Sequence, residues 1–230
     1  PRRDRRQHHG RDYCDKKKAC RLTSALNIAA VVPAAGASVR MGGANKLLLP
    51  WGSSTVIEGV IDGLIECGIA DIVVPLGRDS EKVRQCLRNA PVRIFYNTLH
   101  EDGMSASIVQ GVKLLHEASD GIMIALADMP VVRPSTLKTL CAEFRGHAGQ
   151  STIVPVHEGR QGNPVLFPGS LRNELLLLDG DRGAKALLDR HNDSVIHVPV
   201  DDPGIFLDID TMEAYEELRG LKNDEDPNDQ

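Results

Sequence analysis

Three groups of residues in this chain carry side chains suited to phosphate and cation chemistry. The first lies in the stretch Ile28–Lys46, which opens with five apolar, mostly β-branched or small residues and then breaks into Ala34, Ala35, Gly36, Ala37 and Ser38, followed by Gly42 and Gly43. Backbone without bulky side chains can lie close to a phosphate and direct several N–H groups at it. Arg40 and Lys46 add two fixed cations to the same loop. A strand, a small-residue loop and two cations make a phosphate cradle, although the frame is neither a P-loop nor G-x-G-x-x-G, since Lys46 stands between Asn45 and Leu47.

The second group is one carboxylate, Asp128, delivered by the apolar run Ile122–Ala127 and followed by Met129-Pro130. At the C-terminal edge of a parallel sheet, where ligands bind, such a residue can hold a divalent cation through hard oxygen ligands. It can also simply open a turn before x-Pro. The third group is Asp208-Ile209-Asp210-Thr211-Met212-Glu213, where a strand gives way to the last helix. Either Asp210 caps that helix with Glu213 completing a capping box, or Thr211 caps it and Asp210 is left for a metal. Asp210 is favoured over Asp208 as the ligand because it lies nearer the helix.

The positioning elements follow from periodicity. Strands are expected at Ile28–Val32, Ile72–Leu76, Val92–Phe95, from Ile122, at Thr152–Val156 and after Pro164. Between them come amphipathic helices: Val56 to about Gly68 with Ser53 or Ser54 as N-cap, Ser80–Leu87, the run through Ile108 to Leu115, and one starting at Pro134. Leu47 to Pro50 is expected to be extended. Strand–helix alternation predicts right-handed βαβ units, hence an α/β fold: one Rossmann-like three-layer sandwich around a mostly parallel sheet. The domain is expected over residues 27–219, between a basic extension at 1–26 and a polar tail at 220–230.

Composition supports this and excludes other classes. With 230 residues and 3% aromatics, the core must be aliphatic, and no apolar run reaches the length of a membrane span. Residues 1–22 hold nine Lys/Arg against three Asp, net +6, so the formal −5 of the whole chain leaves −11 for the rest. An acidic body argues against a nucleic-acid enzyme. The basic segment lacks an apolar stretch and is expected to be a disordered extension or an upstream-translated leader rather than a secretory signal. Cys14, Cys20, Cys67, Cys86 and Cys141 form no C-x-x-C pair and have no histidines at zinc spacing, which points to free thiols in a reducing cytoplasm.

Read whole, A-A-G-x-S-x-R-M-G-G-x-x-K resembles the signature of nucleotidyltransferases that move a nucleoside monophosphate from a triphosphate, above all those acting on molybdopterin. The resemblance extends over most of residues 27–219. Ala-Asp-Met-Pro at 127–130 is similar to that family's metal-binding Asp motif, with Ala127 where Gly is usual, and Asp208–Glu213 is similar to the element that completes the Mg²⁺ site. Asn97 together with Gly103-Met104-Ser105-Ala106-Ser107 resembles the segment beside the nucleotide, where Ser105 and Ser107 could face a base edge or ribose; by themselves they read as a loop with a serine cap. Gly159-Arg160-Gln161-Gly162-Asn163-Pro164 and Gly180-Asp181-Arg182-Gly183-Ala184 resemble acceptor-side motifs of the cytidylyl-transferring branch. By itself Asp181 reads equally well as only the N-cap of its helix.

The resemblance implies catalytic Arg40, Lys46 and Asp128, and nucleotide contacts from Ala34, Ala35, Gly36, Ser38, Arg40, Lys46, Gly103, Ser105 and Ser107. It also implies acceptor contacts from Arg160, Asn163, Pro164, Asp181 and Arg182, and metal ligation by Asp128 and Asp210. The expected substrates are CTP and molybdopterin cofactor, with Mg²⁺ replaceable by Mn²⁺. Molybdenum hydroxylase apoenzymes or their maturation chaperones are expected partners, and nucleic acid and membrane are not. A loop reading A-A-G where guanylyl-transferring relatives read A-G-G favours cytosine. A sugar-phosphate or isoprenoid-precursor cytidylyltransferase, a guanylyltransferase and a non-catalytic accessory protein remain as alternatives.

Overall fold

The computed structural model describes residues 26–36, 41, 45–77, 80–98, 103–180 and 183–225, with the backbone alone for 221–225. Strands β1 (Ile28–Val31), β2 (Pro50–Trp51), β3 (Ser54–Thr55), β4 (Asp71–Leu76) and β5 (Arg93–Tyr96) precede β6 (Gly121–Ile124). They are followed by β7 (Thr152–His157), β8 (Arg160–Gln161), β9 (Val165–Pro168) and β10 (Val195–Pro199). The helices are α1 (Val56–Glu66), α2 (Ser80–Cys86), α3 (Met104–Leu114), α4 (Pro134–Gly146), α5 (Arg172–Leu175), α6 (Lys185–Arg190) and α7 (Met212–Glu225).

The main sheet runs β10-β7-β9-β6-β1-β4-β5, with β8 added to β7, and β2–β3 form a separate small ribbon. Strands β6, β1, β4 and β5 are mutually parallel, while β9 is antiparallel to both β6 and β7. The expected α/β fold with a mostly parallel sheet is the one observed. Chain order places β4 on one side of β1 and β6 on the other. The crossover direction therefore reverses at β1, and the crevice beyond the carboxyl ends of β1 and β6 is the switch point where doubly wound sheets bind ligands.

Because side chains alternate along a strand, β1 feeds both faces. Ala30 packs with Ile57, Ile61 and Leu64 of α1 and Leu140 and Phe144 of α4. Ala29 and Val31 pack with Ile108 and Val112 of α3, Leu175 of α5 and Leu187 of α6. These two cores, aliphatic apart from a few aromatics such as Phe144 and Phe167, lie between the sheet and the two helical layers of a three-layer sandwich. Among the described residues, no helix is long and apolar enough to cross a membrane.

Three local expectations need correcting. Helix α1 starts after Thr55, not after Ser53 or Ser54. The Glu58 carboxylate accepts from both the Thr55 amide, at 2.9 Å, and its hydroxyl, at 2.7 Å, while Ser54 lies in the ribbon. Leu47–Leu48 are not extended: Lys46–Leu48 form one turn of 3₁₀-helix, because the Asn45 side chain accepts from the Leu47 amide and closes the turn. Helix α3 has Gly103, at φ 91°, as its N-cap rather than a serine. The expected basic extension falls almost wholly outside the described residues.

Candidate functional site

Beyond β1 the chain stays beside β4. The Val32 amide donates to Val73 at 2.9 Å and the Ala34 amide to Pro75 at 3.0 Å. Ala34 and Ala35 are buried, and a side chain on Gly77 would stand 2.7 Å from the Ala35 carbonyl oxygen, so the loops after β1 and β4 touch through backbone. The Ala35 methyl lies beside Gly77. Gly36 is exposed, with open space where a side chain would be. Ser38 and Arg40, and on the acceptor side Asp181 and Arg182, lie outside the described residues.

The other end of this loop is fixed by the Asn45 cap and by buried Leu47, which leaves Lys46 at the head of its turn. The lysine side chain is 11% exposed and reaches two carboxylates: Nζ donates to Asp128 Oδ2 at 2.5 Å and to Asp210 Oδ1 at 2.7 Å. These partners are 82 and 164 residues away in sequence. The two acidic oxygens can be no farther apart than those two contacts laid end to end.

Each carboxylate is placed by packing around it. Strand β6 is fully buried, and the Ala125 amide extends its pairing with β1 by donating to Val31 at 3.1 Å. Buried Ala127 and Met129 flank Asp128 and leave its side chain to face the crevice. The Ile209 amide donates to the Asp128 carbonyl at 2.9 Å, which joins the segment before α7 to this turn. Ile209 is buried, so Asp210 emerges beside it. Thr211 is the cap: its hydroxyl accepts from the Ala214 amide at 3.2 Å, and Asp210 is thereby left for Lys46. The Tyr215 hydroxyl donates to the Pro50 carbonyl at 2.6 Å, holding α7 close to the turn that carries Lys46.

Burial opposes charge on Lys46 and is the largest single influence, yet attraction and hydrogen bonds from Asp128 and Asp210 together raise its pKa above 10.5. Asp208, nearby, is raised above 3.8 by burial first and then by repulsion from Asp210 and Asp128. Lys46 hydrogen-bonds Asp210, and its charge partly offsets the rise at Asp208. Hard oxygen donors of this kind suit Mg²⁺ or Mn²⁺, and Asp210, with 45% of its side chain exposed, leaves an approach for phosphate oxygens or water. The described residues contain no group of three or more His, Cys, Asp or Glu arranged for a metal.

The remaining expected contacts divide. Ser105 and Ser107 are buried in the first turn of α3, where the Ser105 hydroxyl donates to the Asp179 carbonyl at 3.3 Å and Ser107 accepts from Asn97 Nδ2 at 3.1 Å. The two bonds tie the start of α3 to Asp179 and to Asn97. Arg160 is exposed on β8, with its guanidinium 4.4 Å from the centre of the Phe206 ring. The Asn163 amide donates to the Ile205 carbonyl at 2.9 Å, and Asn163 and Pro164 line an apolar cleft with Leu126, Met129 and Pro130. Cys67, Cys86 and Cys141 are free thiols, and burial pushes Cys67 up to about 11.

Two contributors were not expected. Phe206 sits under Arg160, four residues before Asp210. Asp202 is buried and accepts from the Gly204 amide at 2.9 Å, the Arg133 amide at 3.0 Å and the Thr136 hydroxyl at 2.6 Å. It ties the segment leading to Asp210 to the start of α4. Asp202-Pro203-Gly204 is a legible turn signal, but its partners at the start of α4 are not.

Residues 30–195 match the family described as MobA-like NTP transferase domain. A relative named nicotine blue oxidoreductase, from Paenarthrobacter nicotinovorans, is 28% identical over 196 residues, covering 83% of this chain and 96% of that protein. A probable molybdenum cofactor guanylyltransferase from Methanosarcina mazei is 29% identical over 59% of this chain and 60% of its own length. Among solved structures, Rv0371c from Mycobacterium tuberculosis H37Rv superposes with a TM-score of 0.75 at 27% identity, over 86% of this chain and 100% of that one. A second structure of that protein is a complex with manganese, with a TM-score of 0.71.

Proposed function

The chain belongs to the MobA-like NTP transferase family, and from that premise we propose that it transfers CMP from CTP to the terminal phosphate of molybdopterin cofactor and releases pyrophosphate. The observation that carries the reading is the meeting of Lys46, Asp128 and Asp210 at the sheet's switch point. The loop from Ala34 through Gly36 to Lys46, including Ser38 and Arg40, grips the triphosphate. Asp128 and Asp210 hold Mg²⁺, or Mn²⁺ in its place, which neutralises charge on the phosphates when bound. A structural relative is known in complex with manganese, which supports the use of a divalent cation by this fold.

The acceptor's phosphate monoester is already ionised at neutral pH, so it attacks the α-phosphorus in line without a general base, and the bond to the pyrophosphate oxygen breaks. The chain contributes positioning and charge. Arg160, Asn163, Pro164, Asp181 and Arg182 receive the acceptor, and Phe206 steadies the Arg160 guanidinium. Gly103 and the start of α3 border the nucleoside. Cytosine is favoured by the A-A-G loop and by the G-R-Q-G-N-P segment, both similar to the cytidylyl branch. The catalytic domain spans residues 27–219.

The test is pyrophosphate release with each of the four triphosphates, with and without molybdopterin cofactor. Release with CTP that requires the cofactor is expected. Release with GTP alone among the four would move the chain to the guanylyl branch. No release with any triphosphate would leave the field to chemistry such as that named for the oxidoreductase relative.

A further inference from the structure

At the centre of the three residues stands an ammonium: Nζ of Lys46 touches one oxygen of Asp128 and one of Asp210, at 2.5 and 2.7 Å. In the reaction proposed above, those two carboxylates hold a divalent cation and that lysine holds triphosphate. The two arrangements exclude one another. Mg²⁺ binds carboxylate oxygen at about 2.0–2.1 Å, so an ion shared by these two oxygens would overlap the place that Nζ takes. Two cations that close in a site where the lysine is 11% exposed also repel strongly.

We propose that Lys46 is a place-holding cation. In the nucleotide-free enzyme it occupies the carboxylate pair and keeps divalent metal out, and it gives the pair up only when a triphosphate supplies its ammonium with another anion. Metal and nucleotide then bind cooperatively, with the lysine as the link. This inference rests on Asp128 and Asp210 being the metal ligands.

The local structure suits such an exchange. The Lys46 backbone is held by the Asn45 cap and by buried Leu47, so only the flexible four-carbon side chain has to move. The carboxylates are held independently, Asp128 between buried Ala127 and Met129, and Asp210 between buried Ile209 and the Thr211 cap. They keep their positions when the lysine leaves. Without it, the acids would repel one another and draw in a replacement cation.

The experiment is Mn²⁺ binding without nucleotide, followed by electron paramagnetic resonance of the free ion, for wild type, Lys46→Gln, Lys46→Arg, Asp128→Asn and the Lys46→Gln/Asp128→Asn double variant. Lys46→Gln should bind Mn²⁺ at least about tenfold more tightly than wild type, within the range of ordinary coupling between sites. Lys46→Arg, which keeps the charge, should stay weak, and the double variant should lose the gain. If Lys46→Gln binds no more tightly while Asp128→Asn abolishes binding, the place-holding role is wrong and the metal ligands stand. If binding ignores Asp128 in both backgrounds, both ideas fall.

A measurement on the unsubstituted lysine covers the case in which Lys46→Gln does not fold. In protein labelled with [¹³C]lysine, the Lys46 ε-methylene resonance, assigned by its loss in Lys46→Arg, should stay put with Mg²⁺ alone. It should shift when Mg²⁺ and α,β-methylene CTP are added together. A full shift with Mg²⁺ alone would overturn the proposal.

Discussion

Replacing Asp202 with alanine removes no expected ligand of substrate or metal, yet it should unsettle the site. The carboxylate is 2% exposed and accepts three hydrogen bonds, from the amides of Gly204 and Arg133 and the hydroxyl of Thr136. Arg133 is the N-cap of α4, so one of the lost bonds belongs to a helix start, where a negative charge is favoured. Hydrogen bonds to a charged group are worth roughly 1.5–3 kcal/mol each, which for three bonds sums to roughly 4.5–9 kcal/mol before relaxation. The groove formed by Trp51, Pro130, Arg133 and Asp202 admits water to the orphaned donors, and neighbouring losses do not add fully. We expect about 3–4 kcal/mol in urea denaturation followed by circular dichroism, or a Tm lower by roughly 10 °C for a chain of this size. Asp202→Asn, which keeps one acceptor oxygen, should lose about half as much. Apparent Mn²⁺ affinity in the presence of CTP should fall in Asp202→Ala, because the 202–209 segment positions Asp210. A loss below about 1 kcal/mol for alanine would show that the three bonds do not hold this segment, and the reasoning would fail.

Other consequences are as specific. The pKa of Lys46 is raised above 10.5, so its pairing stabilises the fold fully below pH 10.5 and is lost as pH rises through the folded value; Lys46→Met should remove that alkaline decline in stability measured from pH 8 to 11.5. Asp208 is raised above 3.8, so the folded state binds its proton more tightly and stability falls as pH climbs from 3.8 through the folded value. Asp208→Asn should therefore be more stable than wild type at pH 7 while keeping turnover, whereas Asp210→Asn should lower turnover by orders of magnitude. In Gly111→Ala the new methyl would meet Val31 Cγ1 at 2.4 Å, and about 1–3 kcal/mol of stability should be lost by the same denaturation assay. Cys67 should resist iodoacetamide at pH 7.5 and react only as pH approaches 11.

Periodicity was enough to locate β1, β4, β6 and helices α1 to α4, because each buries one continuous apolar face and that face recurs at the period of its element. Local competition was harder to read. Ser53, Ser54 and Thr55 are all capping residues, and the choice of Thr55 depends on where the β2–β3 ribbon ends and on Glu58 reaching back. The turn at Lys46–Leu48 depends on one side chain, Asn45, that a hydropathy pattern does not register. Asp128 stood out because a lone acid ends an apolar strand, and Asp210 because a threonine followed it as a competing cap. Their meeting with Lys46 could not be derived from local rules, since it spans 82 and 164 residues and follows from strand order. Asp202 and Phe206 were invisible for the same reason: their partners Thr136 and Arg160 lie on other elements.

Strand order also explains why a lysine, and not an arginine, serves at position 46. The two acids come from different elements, one from the turn after β6 and one from the residue before the cap of α7, and each gives one oxygen to the ammonium. A guanidinium is a rigid fork that pairs best with both oxygens of one carboxylate, whereas an ammonium is a compact charge whose three donors can be shared between two. Lys46 gives one bond to each, and its small head at the end of a flexible stem is the closest side-chain equivalent of a metal ion. A fork fixed on Asp128 would leave Asp210 with unbalanced charge beside Asp208, whose proton affinity is already raised by burial and then by both neighbours. The geometry of the acids therefore selects a point charge, and the same geometry makes that charge exchangeable for another.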